Sequence, residues 1–119
     1  MTNTQLDSVP DYDDDRPVEL ASGEELDALV AANDLVLADF YTKGCTLCQS
    51  IEPVVGNVAR ATDAVVATLN PQKDLALVEE YDVRSVPTLL VFSDGELVER
   101  VADGFVGTER LVELVEQYE

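Results

Sequence analysis

The 119-residue chain contains no histidine, has only two cysteines and is poor in positive charge. Seven basic residues stand against 25 acidic ones, which gives a formal net charge of −18. Only Lys43 and Lys73 are lysines. A surface of this charge repels nucleic acid and anionic lipid, so we expect no function on either.

Long apolar runs are also absent, since no stretch approaches the roughly 20 residues that a membrane helix needs. The first residues lack both the basic start and the apolar segment of a signal peptide. We therefore expect a cytoplasmic protein without membrane contact. The length and the hydrophobic content of 46% fit one globular domain with a modest core.

Acidic residues are spread along the chain and concentrated at 11–15. This composition is typical of proteins from halophilic organisms, in which concentrated salt screens the repulsion between like charges. A merely acidic mesophilic protein is the alternative. Residues 1–16 offer little apolar surface and are expected to form a mobile acidic arm, followed by one domain at 17–119.

Within that domain, apolar runs alternate with helical patterns. The predicted strands cover 18–20, 35–41, 64–69, 88–92 and 97–101, and the predicted helices cover 24–32, 45–60, 73–81 and a last segment from Thr108. Ser22 and Thr108 are predicted to cap helices, Pro53 to kink one, and Asp94-Gly95 to form a hairpin turn. This order predicts an α/β fold whose mixed central sheet has helices on both faces.

The two cysteines stand as Cys45-Thr46-Leu47-Cys48, directly after the predicted strand at 35–41. Free backbone N–H groups and the dipole at a helix N-terminus stabilise a thiolate at Cys45, and the thiolate is the reactive form. In a reducing compartment such a pair is catalytic or binds metal more often than it forms a permanent disulfide. Half of a zinc site is one alternative, but a closed site would require a second chain or carboxylates.

Asp39 is unexpected in the apolar run at 35–41. From the pattern alone, it is either a polar residue on a half-exposed strand or a buried carboxyl group. Burial would raise its pKa and make it a possible proton acceptor.

These landmarks resemble the thioredoxin family. In order and at matching spacing, the chain has Val36–Tyr41 with its aspartate, Cys45-x-x-Cys48, Pro53, Ser85-Val86-Pro87-Thr88, Asp94-Gly95 and Gly104. The resemblance covers about residues 17–119 and implies a thioredoxin fold. It also implies a thiol-disulfide oxidoreductase that reduces client proteins through a Cys45–Cys48 couple, needs no cofactor or metal, and is re-reduced by a thioredoxin reductase.

The resemblance also implies a role for each matching residue. Cys45 would be the nucleophile, Cys48 the resolving cysteine, and Asp39 the acceptor of the Cys48 proton. The residues implied in substrate binding are Gly44, Val86, Pro87 in the cis form, and Gly104. We expect a monomer.

Three departures from the family pattern affect these expectations. Gly44 replaces the usual tryptophan, and Thr46-Leu47 replaces the usual Gly-Pro between the cysteines, which changes the redox poise. Thr68 replaces a lysine, so Asp39 would lack a cationic partner and be harder to ionise. The alternatives are a disulfide oxidant or isomerase, a non-catalytic binding module, and a metal-carrying dimer.

Overall fold

The computed structural model of the protein describes residues 16–102 and 104–119. Apart from Arg16, the predicted acidic arm lies outside these residues. The elements in chain order are β1 (Val18–Leu20), α1 (Gly23–Ala32), β2 (Leu35–Phe40), α2 (Thr46–Ala61), β3 (Val65–Leu69), a 3₁₀ turn (Pro71–Lys73), α3 (Ala76–Glu80), β4 (Thr88–Ser93), β5 (Glu96–Val101) and α4 (Thr108–Glu116).

The strands form a five-stranded sheet in the order β1-β3-β2-β4-β5. β3 pairs in parallel with β1 and β2, whereas β4 pairs antiparallel with β2 and β5. The predicted mixed sheet is therefore confirmed. β2 lies at its centre, and all six of its residues are buried.

The two faces of the sheet carry separate parts of the core, because successive side chains of a strand point to opposite faces. Leu35 and Leu37 of β2 pack with apolar residues of α2 and α4. Val36, Ala38 and Phe40 pack with residues of α1 and α3. By this alternation, Asp39 belongs to the face that α2 and α4 cover.

The helix predicted at 73–81 is shorter and is preceded by a separate turn. The side chain of Asn70 accepts a hydrogen bond from the backbone N–H of Gln72 at 3.0 Å. The carboxylate of Asp74 accepts from the N–H groups of Gly23 and Ala76. These side chains compete with helical hydrogen bonding, so the regular helix begins only at Ala76.

The two predicted helix caps have different outcomes. The Ser22 hydroxyl accepts from the N–H of Glu25 at 3.3 Å, so the predicted cap of α1 is confirmed. The prediction for Thr108 is wrong, because the N-cap of α4 is Gly107. The Thr108 hydroxyl instead accepts a hydrogen bond from the side-chain amide of Asn57 on α2.

The predicted hairpin turn connects β4 to β5. Asp94 and Gly95 both have positive φ angles, 51° and 86°. Two consecutive positive φ angles match the twist of an antiparallel pair, and Asp-Gly tolerates them. The sequence signal for this turn is thus confirmed.

Within the described part of the chain, three tyrosine hydroxyls donate hydrogen bonds to carboxylates that are distant in sequence. Tyr41 donates to Glu19, Tyr81 to Asp27 and Tyr118 to Glu99. Each bond joins two segments that are at least 19 residues apart in sequence. In a chain with few cations, these phenols act as neutral partners for carboxylates.

Candidate active site

The loop between β2 and α2 places Cys45 at the first position before the helix. Gly44 has a φ of +80°, which favours glycine, and Cys45 is the N-cap of α2. The Cys45 sulfur accepts a hydrogen bond from the backbone N–H of Cys48 at 3.1 Å. The sulfur therefore lies where free N–H groups and the helix dipole favour negative charge.

Cys45 and Cys48 are joined by a disulfide, with their Cα atoms 5.2 Å apart. That separation is within the ordinary range for a disulfide. The residues differ in accessibility, since Cys45 is half-buried and Cys48 is only 5% exposed. An incoming group thus reaches the Cys45 sulfur more easily.

The segment before β4 lies against this sulfur. The Val86 carbonyl oxygen is 4.0 Å from the Cys45 sulfur, and the Val86–Pro87 peptide bond is cis. Val86 is half-buried and Pro87 is buried. The structure thus places the Val86–Pro87 segment, expected from the family resemblance, beside the redox pair.

Gly104, in another loop, lies beside the side chain of Leu47, which stands between the two cysteines in sequence. Its φ is +97°, and a Cβ atom built there would lie 3.7 Å from a methyl group of Leu47. Leu47 is 47% exposed and Phe105, the next residue after Gly104, is 55% exposed. Sequence reasoning missed these two apolar side chains, although both adjoin predicted site residues and could have been found by that adjacency.

A cavity of about 270 Å³ adjoins Cys48 of the redox pair. It is lined by Glu19, Asp39, Tyr41, Thr42, Lys43, Gly44, Cys48, Gln49, Glu52 and Thr68. Asp39 and Cys48 therefore face a common space. The structure brings the predicted proton acceptor and the predicted resolving cysteine together.

Asp39 is 2% exposed, so the expectation of a buried carboxyl group is confirmed. Its Oδ1 atom has no hydrogen-bond partner among the described residues. Burial, then the charges of Glu52 and Glu19, raise the pKa of Asp39 to about 7. Desolvation disfavours the charged form of a carboxyl group, and nearby negative charge acts in the same direction.

Sequence reasoning missed Glu19 and Glu52. Glu52 follows Cys48 by one helical turn on α2, and that spacing was a usable signal because such residues share a helix face. Glu19 lies opposite Thr68, which lies opposite Asp39. This row spans three strands, so no local pattern could have revealed it.

Residues 16–102 and 104–119 contain no group of three or more acidic or cysteine side chains placed to hold a metal ion. Within the same ranges, no helix is long and apolar enough to cross a membrane.

A Cys-x-x-Cys disulfide at a helix N-terminus, supported by the central strand of a mixed sheet, defines a thiol-disulfide oxidoreductase. The family model described as Thioredoxin matches residues 17–117. A thioredoxin of Chlamydia caviae is 32% identical over 102 residues, which are 85% of this chain and 98% of that protein. A thioredoxin of Staphylococcus saprophyticus is 36% identical over 84 residues, covering 69% and 80% of the two chains.

Solved thioredoxin structures are also similar to this chain. A mutant thioredoxin from Halobacterium salinarum NRC-1 has 43% sequence identity and a TM-score of 0.85, with 92% of this chain and 96% of that chain covered. A Plasmodium falciparum thioredoxin, at 24% identity, shares the fold with a TM-score of 0.76 over 86% and 99% of the two chains.

The chain belongs to the thioredoxin family. It is a thiol-disulfide oxidoreductase that reduces protein disulfides. Thioredoxins use a redox-active disulfide without a cofactor. The family implies a thioredoxin reductase and disulfide-containing clients as general partners.

Proposed function

We propose that Cys45 is the nucleophile and Cys48 the resolving cysteine of this reductase. The observation that carries the assignment is their unequal exposure, half-buried for Cys45 and 5% for Cys48. The position of Cys45 at the N-cap of α2 supports it, because a thiolate there is stabilised by N–H groups and the helix dipole.

The reaction has two thiol-disulfide exchanges. The Cys45 thiolate attacks one sulfur of a client disulfide, the client S–S bond breaks, and its second sulfur leaves as a thiolate. Cys48 then loses its proton and attacks the Cys45 sulfur of the mixed disulfide. The Cys45–Cys48 bond forms, the bond to the client breaks, and the client has gained two electrons.

Asp39 is the proposed acceptor of the Cys48 proton. Both residues line the same cavity, and Oδ1 of Asp39 is free of other hydrogen bonds among the described residues. With a pKa raised to about 7, chiefly by burial, this carboxyl group is a stronger base than an exposed one. A proton can reach it directly or through one water molecule in the cavity.

The proposed client surface surrounds Cys45. Its members are Gly44, Val86, Pro87 and Gly104, and the exposed side chains of Leu47 and Phe105 extend it. Backbone groups of the segment at Val86 are available to an extended client chain, while the apolar side chains contribute by burial.

Several further properties belong to this proposal. The domain comprises residues 17–119, follows an acidic segment at 1–16, and acts as a cytoplasmic monomer. A thioredoxin reductase renews the dithiol. The protein works in concentrated salt, which the charge of −18 and the similarity to the Halobacterium salinarum protein support.

Limited alkylation tests the roles of the cysteines. In the reduced protein, a limiting amount of iodoacetamide should label Cys45 well before Cys48, because only the Cys45 sulfur combines access with stabilisation of the thiolate. Peptide mass mapping measures the order. Preferential labelling of Cys48 would reverse the assignment.

Trapping of a client gives an independent test. Cys48→Ser should accumulate a mixed disulfide between Cys45 and a disulfide-containing protein such as insulin, because the resolving step is blocked. The matched control is Cys45→Ser, which should trap little. Equal trapping by the two variants would show that either cysteine can start the reaction.

A further inference from the structure

A row of polar side chains crosses the sheet below the disulfide. Glu19 of β1 lies opposite Thr68 of β3, and Thr68 lies opposite Asp39 of β2. The Thr68 hydroxyl donates its single proton to Glu19 at 3.0 Å, and the Tyr41 hydroxyl donates to the other oxygen of Glu19. Because a hydroxyl has one proton to donate, Thr68 has none left for Asp39.

Glu52 adds a second carboxylate near Asp39, from helix α2. It lies on α2, is exposed, and lines the same cavity as Asp39 and Glu19. Lys43, from the loop before α2, is the basic residue of the cavity lining, and the β4 neighbour of Asp39 is the neutral Leu89. The groups that change the pKa of Asp39 are Glu52 and Glu19 in addition to burial, and all of them raise it.

We propose that Glu52 and Glu19 are positioning residues that favour the protonated form of the Asp39 carboxyl in dilute salt and lose this effect in concentrated salt. Ionic strength would then set the pH range in which Asp39 accepts the proton of Cys48. The inference rests on the role of Asp39 in the proposed function.

The dependence on salt follows from where the charges lie. Glu19 and Glu52 are exposed, so ions can screen their effect on Asp39. The screening length falls from about 10 Å at 0.1 M to about 3 Å at 1 M. Burial of Asp39 does not change with salt, so only the contribution of the two glutamates is removed.

The ionisation of Asp39 affects the reaction through the resolving step. In the resolving reaction the Asp39 carboxylate takes the proton of the Cys48 thiol while the Cys48 sulfur bonds to Cys45. The client sulfur leaves with the electron pair of the broken bond. Only the ionised form of Asp39 can begin this step, so its ionised fraction scales the rate.

The test is a titration of the Asp39 carboxyl carbon by NMR in the oxidised protein. In about 0.1 M KCl, Glu52→Gln should lower the midpoint by roughly half a pH unit, because one nearby negative charge is lost. Raising the salt to about 1 M should lower the titration midpoint of Asp39 in the wild type. The same increase in salt should lower the midpoint of Glu52→Gln by a smaller amount. Glu19→Gln is less suitable, because it also disturbs the hydrogen bonds from Tyr41 and Thr68.

Glu113→Gln is the matched control. Glu113 is exposed on α4 and does not line the cavity, and its replacement removes the same single charge. Its midpoint should equal that of the wild type. An equal shift in Glu52→Gln and Glu113→Gln would assign the effect to net charge and overturn the proposal.

A second readout separates this inference from the proposed function. The pH midpoint of insulin reduction should move in parallel with the carboxyl midpoint when Glu52 is replaced. A carboxyl midpoint that moves while the reaction midpoint stays fixed would overturn the catalytic role of Asp39. A carboxyl midpoint unchanged in Glu52→Gln would overturn the role of Glu52 and leave that of Asp39 intact.

Discussion

At the scale of single residues, Asp39 carries the largest electrostatic cost among the described residues of the site. Its pKa is raised from 3.8 to about 7, chiefly by burial and further by Glu52 and Glu19. The folded protein therefore holds a proton that the unfolded chain has already lost. Stability falls as pH rises from about 4 to about 7, and the full penalty persists above that range.

Replacement of Asp39 by asparagine should remove this penalty. A pKa difference of this size corresponds to roughly 4 kcal/mol, which is an upper limit for the gain in unfolding free energy at pH 8. At pH 4 the gain should be small, because the carboxyl group is protonated in the folded protein and about half protonated in the unfolded chain. Urea unfolding at the two pH values measures both quantities, and insulin reduction by Asp39→Asn should be slower.

The comparison between the two pH values is the control for this prediction. A general packing effect of asparagine would change stability equally at pH 4 and pH 8. Equal changes would therefore show that the ionisation of Asp39 does not destabilise the fold.

At the scale of elements, the sequence predicted a strand, helix or turn well where a single local pattern dominated the segment. The apolar run of β2, the helical periodicity of α2 and the Asp94-Gly95 turn each predicted their element within a few residues. The start of α3 could not be predicted this way, because hydrogen bonds that the side chains of Asn70 and Asp74 accept from the backbone decide it.

The hairpin turn allows a measurement of how much the positive φ angle of Gly95 matters for stability. Gly95 and Gly107 both have open space where a Cβ atom would be, but only Gly95 has a positive φ. Gly95→Ala should therefore lower the unfolding free energy by about 1 to 2 kcal/mol, which is the cost of a left-handed conformation for alanine. Gly107→Ala should lower it by less, roughly 0.5 kcal/mol, because Gly107 is the N-cap of α4, where alanine is less favourable than glycine.

Thermal or urea unfolding of both variants gives the comparison. Similar losses in the two variants would mean that the φ angle of Gly95 is not the cause. The contrast is informative because neither substitution creates a steric overlap with another side chain.

The site itself was only partly predictable from sequence. The cysteines are recognisable from their Cys-x-x-Cys spacing, whereas Asp39 and the Val86–Pro87 segment were expected from the resemblance to the thioredoxin family. Glu19 could not be found in that way, because its place depends on how β1 and β2 both register against β3. Such a juxtaposition is a property of the assembled sheet.

At the scale of the whole molecule, the net charge of −18 predicts a strong dependence of stability on salt. The melting temperature should rise as KCl increases from about 0.1 M to above 1 M, because screening reduces repulsion between carboxylates. A series of thermal melts at neutral pH measures the effect. At pH 4, where carboxyl groups are partly protonated, the rise should be smaller.

A melting temperature that does not change with KCl at neutral pH would contradict this expectation and leave the redox chemistry unaffected. A rise of equal size at pH 4 and pH 7 would point to a general effect of concentrated salt on apolar surface.

The three tyrosine-carboxylate hydrogen bonds limit the stability of the fold at alkaline pH, and this limit is independent of salt. A phenol donates as a neutral group, so these bonds lack the attraction between opposite charges that salt screens in an ion pair. The pKa values of Tyr41, Tyr81 and Tyr118 are raised. Burial is the first cause for Tyr41 and Tyr81, and the hydrogen bond that Tyr118 donates to Glu99 is the first cause for Tyr118. Their contribution is complete below about pH 10 and disappears as pH rises through the folded values, where each donor becomes an anion facing another anion.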